Sequence, residues 1–277
     1  PKKAKHFDFD IADETSTQKI LKENKFDIAM HFAGLTRVDE SVKYPEKYQL
    51  HNFEKSKIFF LLCIKNNLKK IIFSSSAGVY GNSNSSNLTE DSELKPINPY
   101  AESKYKIENF LIEISKKEKL NYTILRYFNV AGTEAKMRSG LASKFSTHLI
   151  KVACEVATKK RNMLIINGNN YNTHDGTTIR DYIHISDLTE IHLLSLRDLL
   201  RNKKSNIYNC GYGKGYSVRD VIDCLNSIIK KKIPVKIGKR RLKDCEYLVA
   251  NTKKFDDYFK WKPKFNNLRT IIESSLK

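Results

Sequence analysis

The chain has 277 residues, 40% of them hydrophobic, which is enough for one sizeable core or two modest ones. Its apolar runs fall well short of the roughly 20 residues that span a bilayer, so we expect no membrane partner. The net charge of +19 comes from lysines spread along the whole chain, without a basic stripe interleaved with aromatic residues. We therefore expect no nucleic-acid partner either.

Five cysteines stand singly, with no C-x-x-C pair and no spacing to histidine that suits a metal site. They are Cys63, Cys154, Cys210, Cys224 and Cys245. Their odd number and apolar neighbours are typical of reduced thiols buried in a protein of the cytoplasm. The sequence therefore predicts a cytoplasmic protein without a metal site.

Short apolar runs alternate with amphipathic helical stretches, the pattern of a parallel α/β sheet. The predicted strands are 26–32, 70–75, 122–128, 163–167, 181–185, 206–210 and 234–237. The predicted helices are 46–66, 100–117, 143–160, a helix capped by Ser186 or Asp187 that ends at 200, and 218–230.

A serine, a tyrosine and a lysine form the clearest chemical pattern. Tyr100 and Lys104 are four residues apart on a predicted helix, so they lie on one face, one turn from each other. A neighbouring ammonium favours the phenolate of a tyrosine whose ordinary pKa is about 10. Ser76, at the end of the preceding strand, can hydrogen-bond the reacting oxygen and relay its proton. Tyr-x-x-x-Lys alone is common by chance, whereas the ordered combination is specific.

Several segments resemble, in the same order, those of the NAD-dependent nucleotide-sugar 4-epimerases of the extended short-chain dehydrogenase/reductase family. They are HFAGL at 31–35, FSSSAGVYG at 73–81, PYAESK at 99–104, LRYFNVAG at 125–132, DGTTIRDYIHISD at 175–187 and YNCGYGKGYSV at 208–218. The resemblance extends over nearly the whole chain.

The resemblance implies a Rossmann-like, doubly wound parallel sheet with a smaller α/β lobe. Residues 1–131 would be the remainder of the NAD-binding domain and 132–277 the UDP-sugar-binding lobe, with about 180–200 packing back on the first domain. A dinucleotide site of this kind needs a glycine-rich turn after its first strand, and none precedes Phe26. Since an initiator methionine is also absent, we expect the first βαβ unit to be missing. Gly211–Gly215 lacks the G-x-G-x-x-G spacing and is not taken as that turn.

The resemblance also implies a role for each matching position. Ser76, Tyr100 and Lys104 match the catalytic serine, tyrosine and lysine. The positions implied to contact NAD are Asp10, Ile11, Phe32, Ala33, Gly34, Leu35, Thr36 and Phe128. The positions implied to surround the UDP-sugar are Asn129, Leu149, Asn167, Arg180, Arg241 and Asp244.

Structural roles compete with some of these assignments. Asp10 could only cap a helix, Arg180 could pair with the adjacent Asp181, and Arg241 could lie on a solvated face. His31 and His184 are expected to be packed residues rather than bases.

The implied activity is the interconversion of UDP-glucose and UDP-galactose through a 4-keto sugar with bound NAD, by a homodimer. We expect the chain without its first βαβ unit to be inactive. Two alternatives stay open, a related enzyme such as a UDP-glucuronate decarboxylase and a non-catalytic remnant. A 4,6-dehydratase is disfavoured because Ala77 and Gly78 follow Ser76 where dehydratases have a carboxylate pair.

Overall fold

Helices and strands alternate through a computed structural model that describes residues 4–82, 87–134, 136–141 and 146–276. The strands are β1 Ala29–His31, β2 Lys70–Ser76, β3 Asn121–Tyr127, β4 Asn129–Ala131, β5 Leu164–Asn167, β6 Ile179–His184, β7 Asn206–Cys210, β8 Gly215–Ser217, β9 Val235–Gly238 and β10 Tyr247–Leu248. The helices are α1 Glu14–Glu23, α2 Val38–Lys43, α3 Pro45–Tyr48, α4 Lys55–Lys65, α5 Pro99–Glu118, α6 Leu149–Ala157, α7 Ile185–Asn202, α8 Val218–Ile229, α9 Lys253–Phe259 and α10 Leu268–Leu276.

A parallel sheet with the strand order β1-β2-β3-β7 organises the first half of the chain. The middle residues of β2 and β3 are buried because both faces of the sheet are covered. On one face, Phe73 and Ile124 pack with Ile107 of α5 and Phe60 of α4. On the other face, α7 lies against β2 and β3. The helices on both faces confirm the predicted Rossmann-like class.

The second half builds two smaller sheets. β6 pairs in parallel with β4 and β10 and antiparallel with β8, while β5 pairs in parallel with β9. α6, α8 and α10 pack together beside them around a separate apolar cluster. The predicted boundary between 131 and 132 stays a prediction.

The predicted strands that form the central sheet agree with the structure to within a few residues, whereas two predicted helices differ. The segment 46–66 is not one α-helix, because a π-helical stretch, Gln49–Glu54, separates α3 from α4. Helix α6 begins at Leu149, and positions 143–145 of the predicted helix lie outside the described residues.

The predicted cap of α7 was wrong. The cap is His184, whose Nδ1 accepts a hydrogen bond from Ser186 N at 3.1 Å. Asp187 instead turns inward, where its carboxylate accepts from the Tyr212 hydroxyl and from Phe265 N at 2.5 and 2.9 Å. A carboxylate engaged in tertiary contacts is not free to cap its own helix.

No helix in the described ranges combines the length and apolarity needed to cross a bilayer. The same residues contain no group of three or more His, Cys, Asp or Glu side chains that could hold a metal ion.

His31 is a packed residue at the end of β1. Its ring lies 5.0 to 5.8 Å from the rings of Phe59, Phe60 and Phe73. Neither ring nitrogen has a hydrogen-bond partner. Burial, assisted by the charge of Lys104, lowers the pKa of His31 to about 4, so the ring is neutral at pH 7.

Replacing His31 by leucine tests the effect of this burial on stability. The pKa of His31 in the folded protein is below the ordinary value of 6.5. The contribution of the neutral ring to the free energy of unfolding is therefore complete above pH 6.5 and is lost as the pH falls towards 4. The loss amounts to about 3 kcal/mol for a shift of this size. Urea unfolding at pH 7 and pH 4 should therefore show that His31→Leu loses less unfolding free energy on acidification than wild type does. The exposed His6→Leu is the control, and an equal acid loss in His31→Leu and wild type would contradict the assignment.

Candidate active site

The carboxyl ends of the central strands form the floor of the site, as in other open α/β sheets. β2 ends at Ser76 and β3 ends at Tyr127, its neighbour in register. Ser76 Oγ accepts a hydrogen bond from Gly78 N at 3.1 Å and caps the short 3-10 helix Ala77–Tyr80. The strand therefore turns sharply after Ser76, which leaves its hydroxyl at the sheet edge.

Helix α5 brings the tyrosine and the lysine to this edge. Asn98 caps the helix by accepting from Ala101 N at 2.9 Å, and Pro99 occupies its first turn. One turn after Tyr100, the buried Lys104 extends its Nζ to the Ser74 carbonyl oxygen at 2.8 Å. The structure thus brings the three predicted catalytic residues together.

Burial sets the protonation of both α5 residues. It raises the pKa of Tyr100, while hydrogen bonding to Ser76 lowers it in part. It lowers the pKa of Lys104 to about 8, opposed by the charge of Glu108. We expected the ammonium to favour the phenolate; within the described part of the chain, the net effect on the pKa of Tyr100 is instead an increase.

The segment 32–36, predicted to contact NAD, is held by Asn52. The Asn52 side chain accepts from Leu35 N at 2.7 Å and donates to Leu35 O at 2.9 Å and to Ser103 Oγ at 3.2 Å. Asn52 lies in the π-helical stretch 49–54 and was missed as a site residue. The available signal was an asparagine at helical spacing from Tyr48 and Phe60, four and eight residues away, on one side of the predicted helix.

Gly34 keeps the space beside Lys104 open. Its φ is +148°, a conformation that other residues rarely adopt. A Cβ there would lie 3.1 Å from Asn52 Oδ1 and 3.8 Å from Lys104 Nζ. The described residues give the Lys104 ammonium one hydrogen bond, to Ser74 O, although it has three donors. The open space beside Gly34, together with the two remaining donors of the Lys104 ammonium, fits the ribose hydroxyls of a dinucleotide.

Three of the remaining predicted NAD contacts, Phe32, Phe128 and Asp10, lie in separate segments. Phe32 is 59% exposed and its ring lies 5.2 Å from that of His192, while Phe128 is buried against Tyr80. Asp10 forms an ion pair with Lys55 of α4, and its other oxygen accepts from the amide of residue 12 at 2.9 Å. Asp10 is not the cap of α1, because that cap is Asp13.

Ile11 and Thr36 complete the predicted set. The Ile11 carbonyl accepts from the Thr17 hydroxyl at 3.1 Å, which holds this segment against α1. Thr36 comes directly before Arg37, whose guanidinium pairs with Asp39 on the surface.

The predicted arginines engage partners that a phosphate could replace. Arg180 Nη2 donates to Asp244 Oδ1 at 2.7 Å, so these two predicted substrate residues are neighbours. The competing pair with Asp181 does not form, because that carboxylate accepts from backbone amides, including Tyr212 N at 2.9 Å and Gly213 N at 2.8 Å.

Arg241 is exposed but not free. With the Asn167 amide oxygen turned towards it, Arg241 donates from Nε and Nη2 at 3.1 and 3.2 Å. The adjacent Arg240 lies 3.8 Å above the ring of Tyr171 and pairs with Glu246. The loop 239–244 therefore presents Arg241 and Asp244 together.

Asn129 and Leu149 lie on the wall of a cavity of about 490 Å³ that His148 and Tyr182 also line. Burial lowers the pKa of His148, and the charge of Arg241 lowers it further. The predicted arginines are therefore close to this cavity.

The fold and the site define a dinucleotide-binding α/β protein with a Ser–Tyr–Lys centre. The pattern of the NAD dependent epimerase/dehydratase family matches residues 1–211. The chain is 40% identical over 267 residues to a UDP-glucose 4-epimerase of Azospirillum brasilense, covering 96% of this chain and 77% of the relative. This chain therefore belongs to the NAD dependent epimerase/dehydratase family, as the motifs predicted.

Solved structures agree. A UDP-glucose 4-epimerase from Bifidobacterium longum in complex with NAD+ and UDP superposes with a TM-score of 0.93 at 33% identity, over 98% of this chain and 82% of that one. A UDP-Glc/GlcNAc 4-epimerase from Campylobacter jejuni gives 0.82 at 37% identity, over 98% and 82%.

Asn52→Ala tests the anchor of the 32–36 segment. The change removes three hydrogen bonds and leaves Leu35 N unpaired, so we expect a loss of about 2 kcal/mol in the free energy of unfolding. Urea unfolding measures it. Asn66→Ala is the control, since that amide makes a single bond to Leu62 O at the end of α4. Equal losses in the two variants would count against a special role for Asn52.

Proposed function

We propose that this protein interconverts UDP-glucose and UDP-galactose by epimerisation at C4. The observation that carries the proposal is the arrangement of Ser76, Tyr100 and Lys104, with the lysine bonded to the strand end that bears the serine. The relatives named UDP-glucose 4-epimerase support the choice of reaction and sugar.

The residues present fit NAD in the open space beside Gly34 and Lys104. Residues 32–36 and Phe128 would line it, Asp10 and Ile11 would contact the adenine end, and the spare donors of Lys104 would bind ribose hydroxyls. Bound NAD supplies reversible hydride uptake at the sugar C4, which epimerisation requires.

Tyr100 would act as the base and Ser76 as its partner. The phenolate accepts the proton of the sugar 4-hydroxyl, with the Ser76 hydroxyl hydrogen-bonded to the same oxygen. The same phenol returns a proton when the 4-keto group is reduced from its other face. Since burial raises the pKa of Tyr100, the charge of Lys104 must act together with that of the oxidised cofactor to form the phenolate.

The UDP part would be anchored while the 4-keto sugar turns. Arg180 and Arg241 can each hold a phosphate oxygen pair in a planar fork. Asp244, released from Arg180, can accept from a ribose hydroxyl, and Asn167 would lie beside it. Asn129 and Leu149 would bound the adjoining cavity. Anchoring at one end leaves the sugar free to present either face.

We also propose a homodimer in the cytoplasm. Leu61 of α4 is 42% exposed, and Phe110 and Ile114 of α5 are only partly buried, which offers an apolar helical surface. The cysteines are free, and all but Cys224 are buried, as reduced thiols would be.

Tyr100→Phe in the full-length protein tests the reaction. We expect the conversion of UDP-galactose to UDP-glucose, without added reductant, to fall by a factor of about 10² to 10⁴ because the base is lost. Calorimetric binding of UDP should persist. Tyr105→Phe, in the same helix and partly buried, is the control and should keep its rate.

Two results would contradict this proposal. Unchanged turnover in Tyr100→Phe would remove the assigned base. A wild-type protein that folds, leaves UDP-galactose unchanged and converts UDP-glucuronate to a pentose would instead be a decarboxylase.

Arg180→Ala tests the diphosphate anchor. Loss of a charge-assisted fork should weaken UDP binding about 10- to 100-fold, measured by calorimetry. Arg269→Ala, which removes an exposed ion pair with Glu273, should leave the affinity unchanged. Equal affinities in Arg180→Ala and wild type would assign Arg180 to structure alone.

A further inference from the structure

A buried ion pair lies directly behind the Ser–Tyr–Lys centre. Glu108 and Arg126 are 0% and 2% exposed, and Arg126 donates from Nη2 to Glu108 Oε2 at 2.7 Å and from Nε to both oxygens at 3.1 and 3.2 Å. Two charges this deeply buried cost free energy unless they are well paired and hydrogen-bonded.

The pair is bonded to both sides of the catalytic serine. Ser75, the residue before Ser76, donates its hydroxyl to Glu108 Oε1 at 2.5 Å. Tyr80, the last residue of the turn that Ser76 caps, accepts from Arg126 Nη1 at 2.9 Å. The strand end and the turn that hold Ser76 are therefore tied to one ion pair.

The hydrogen-bond network continues to the neighbouring strand. Tyr80 donates to Asn209 Oδ1 at 2.7 Å, and Arg126 also donates to the Glu90 carbonyl at 3.0 Å. Asn209 N donates to Glu90 Oε1 at 2.7 Å, which closes the network. Every polar group that the pair reaches is thus satisfied within the protein.

The carboxylate also faces the catalytic lysine. Tyr100, Lys104 and Glu108 follow at four-residue intervals on α5, so they form one stripe. The charge of Glu108 opposes the effect of burial on the pKa of Lys104. His31, the titratable neighbour from β1, is neutral at pH 7 because its pKa is about 4. Glu108 is thus the anion that balances this ammonium among the described residues.

We infer that Glu108 is a positioning residue of the active site, which orients Ser76 through Ser75 and Arg126 and keeps the Lys104 ammonium charged. The inference rests on the proposed function for its effect on turnover. Its effect on the titration of Lys104 does not depend on that function.

Glu108→Gln and Ser75→Ala test separately the effect of Glu108 on the charge of Lys104 and its effect on the position of Ser76. Glu108→Gln removes the charge but keeps an acceptor, so Lys104 should lose its proton at a lower pH than in wild type. Ser75→Ala keeps both charges, so the Lys104 titration should stay in place while kcat falls several-fold with little change in KM. The control for lost stability is Asp187→Asn. Asp187 is also a buried carboxylate but belongs to a different hydrogen-bond cluster, so its replacement should leave the titration of Lys104 unchanged.

Two readouts follow the Lys104 proton in the full-length protein. The first is the NMR signal of the Lys104 side chain in lysine-labelled protein. It is assigned as the signal that is absent from the Lys104→Met variant. The second is the alkaline limb of kcat, which should move to lower pH in Glu108→Gln. If that variant fails to fold because Arg126 is left unpaired, the double variant Glu108→Gln/Arg126→Gln replaces both charges by amides and carries the same test.

An unmoved Lys104 titration in a folded Glu108 variant would overturn the charge role, and unchanged kcat in Ser75→Ala would overturn the positioning role. If the titration moves while wild type converts no UDP-sugar, the proposed function fails and the charge role of Glu108 stands.

Discussion

The packing of α5 against the ends of β2 and β3 is the constraint on which the site depends. The apolar side of the helix, including Ile107 and Leu111, joins the core of the sheet, which turns the stripe bearing Tyr100 towards the strand ends. Glu108 and Arg126 then set the register between helix and sheet. A shift of one turn would leave two buried charges unpaired, at a cost of about 3–5 kcal/mol. The pair therefore makes any other register costly, and so determines where the tyrosine meets the serine.

The second half of the chain uses charge in a different way. Arg241 is exposed and bonds Asn167, whereas Arg180 is only 9% exposed and bonds Asp244 and the carbonyl oxygen of Cys245. Polar contacts between exposed side chains contribute little to stability, about 1 kcal/mol or less. Exchange of the Arg241 partner for an anionic ligand consequently costs little. The ion pair behind the proposed catalytic centre is enclosed in the core, whereas Arg241 can change its partner, which suits a site that must hold one end of a substrate and release it.

Much of the central fold follows from local sequence. Strands buried on both faces contain short apolar runs, such as residues 71–73 of β2, so β2, β3 and β7 were predicted to within a residue or two. Asn98 and Pro99 likewise mark the start of α5. The proposed catalytic residues could be selected because their relation is local, a strand end followed by a four-residue spacing on one helix.

The sequence by itself thus determined the class of fold and the family and suggested the Ser–Tyr–Lys group, since each depends on short motifs and their order along the chain. Only the tertiary structure decided which buried polar groups serve that centre. Asn52 bonds Leu35 and Ser103, which are 17 and 51 residues away along the chain. Glu108 meets Arg126 because α5 packs on β2 and β3, whose register places Arg126 beside Ser75. Such partners are selected by the need to satisfy polar groups when the core closes, and no spacing in the sequence records that selection.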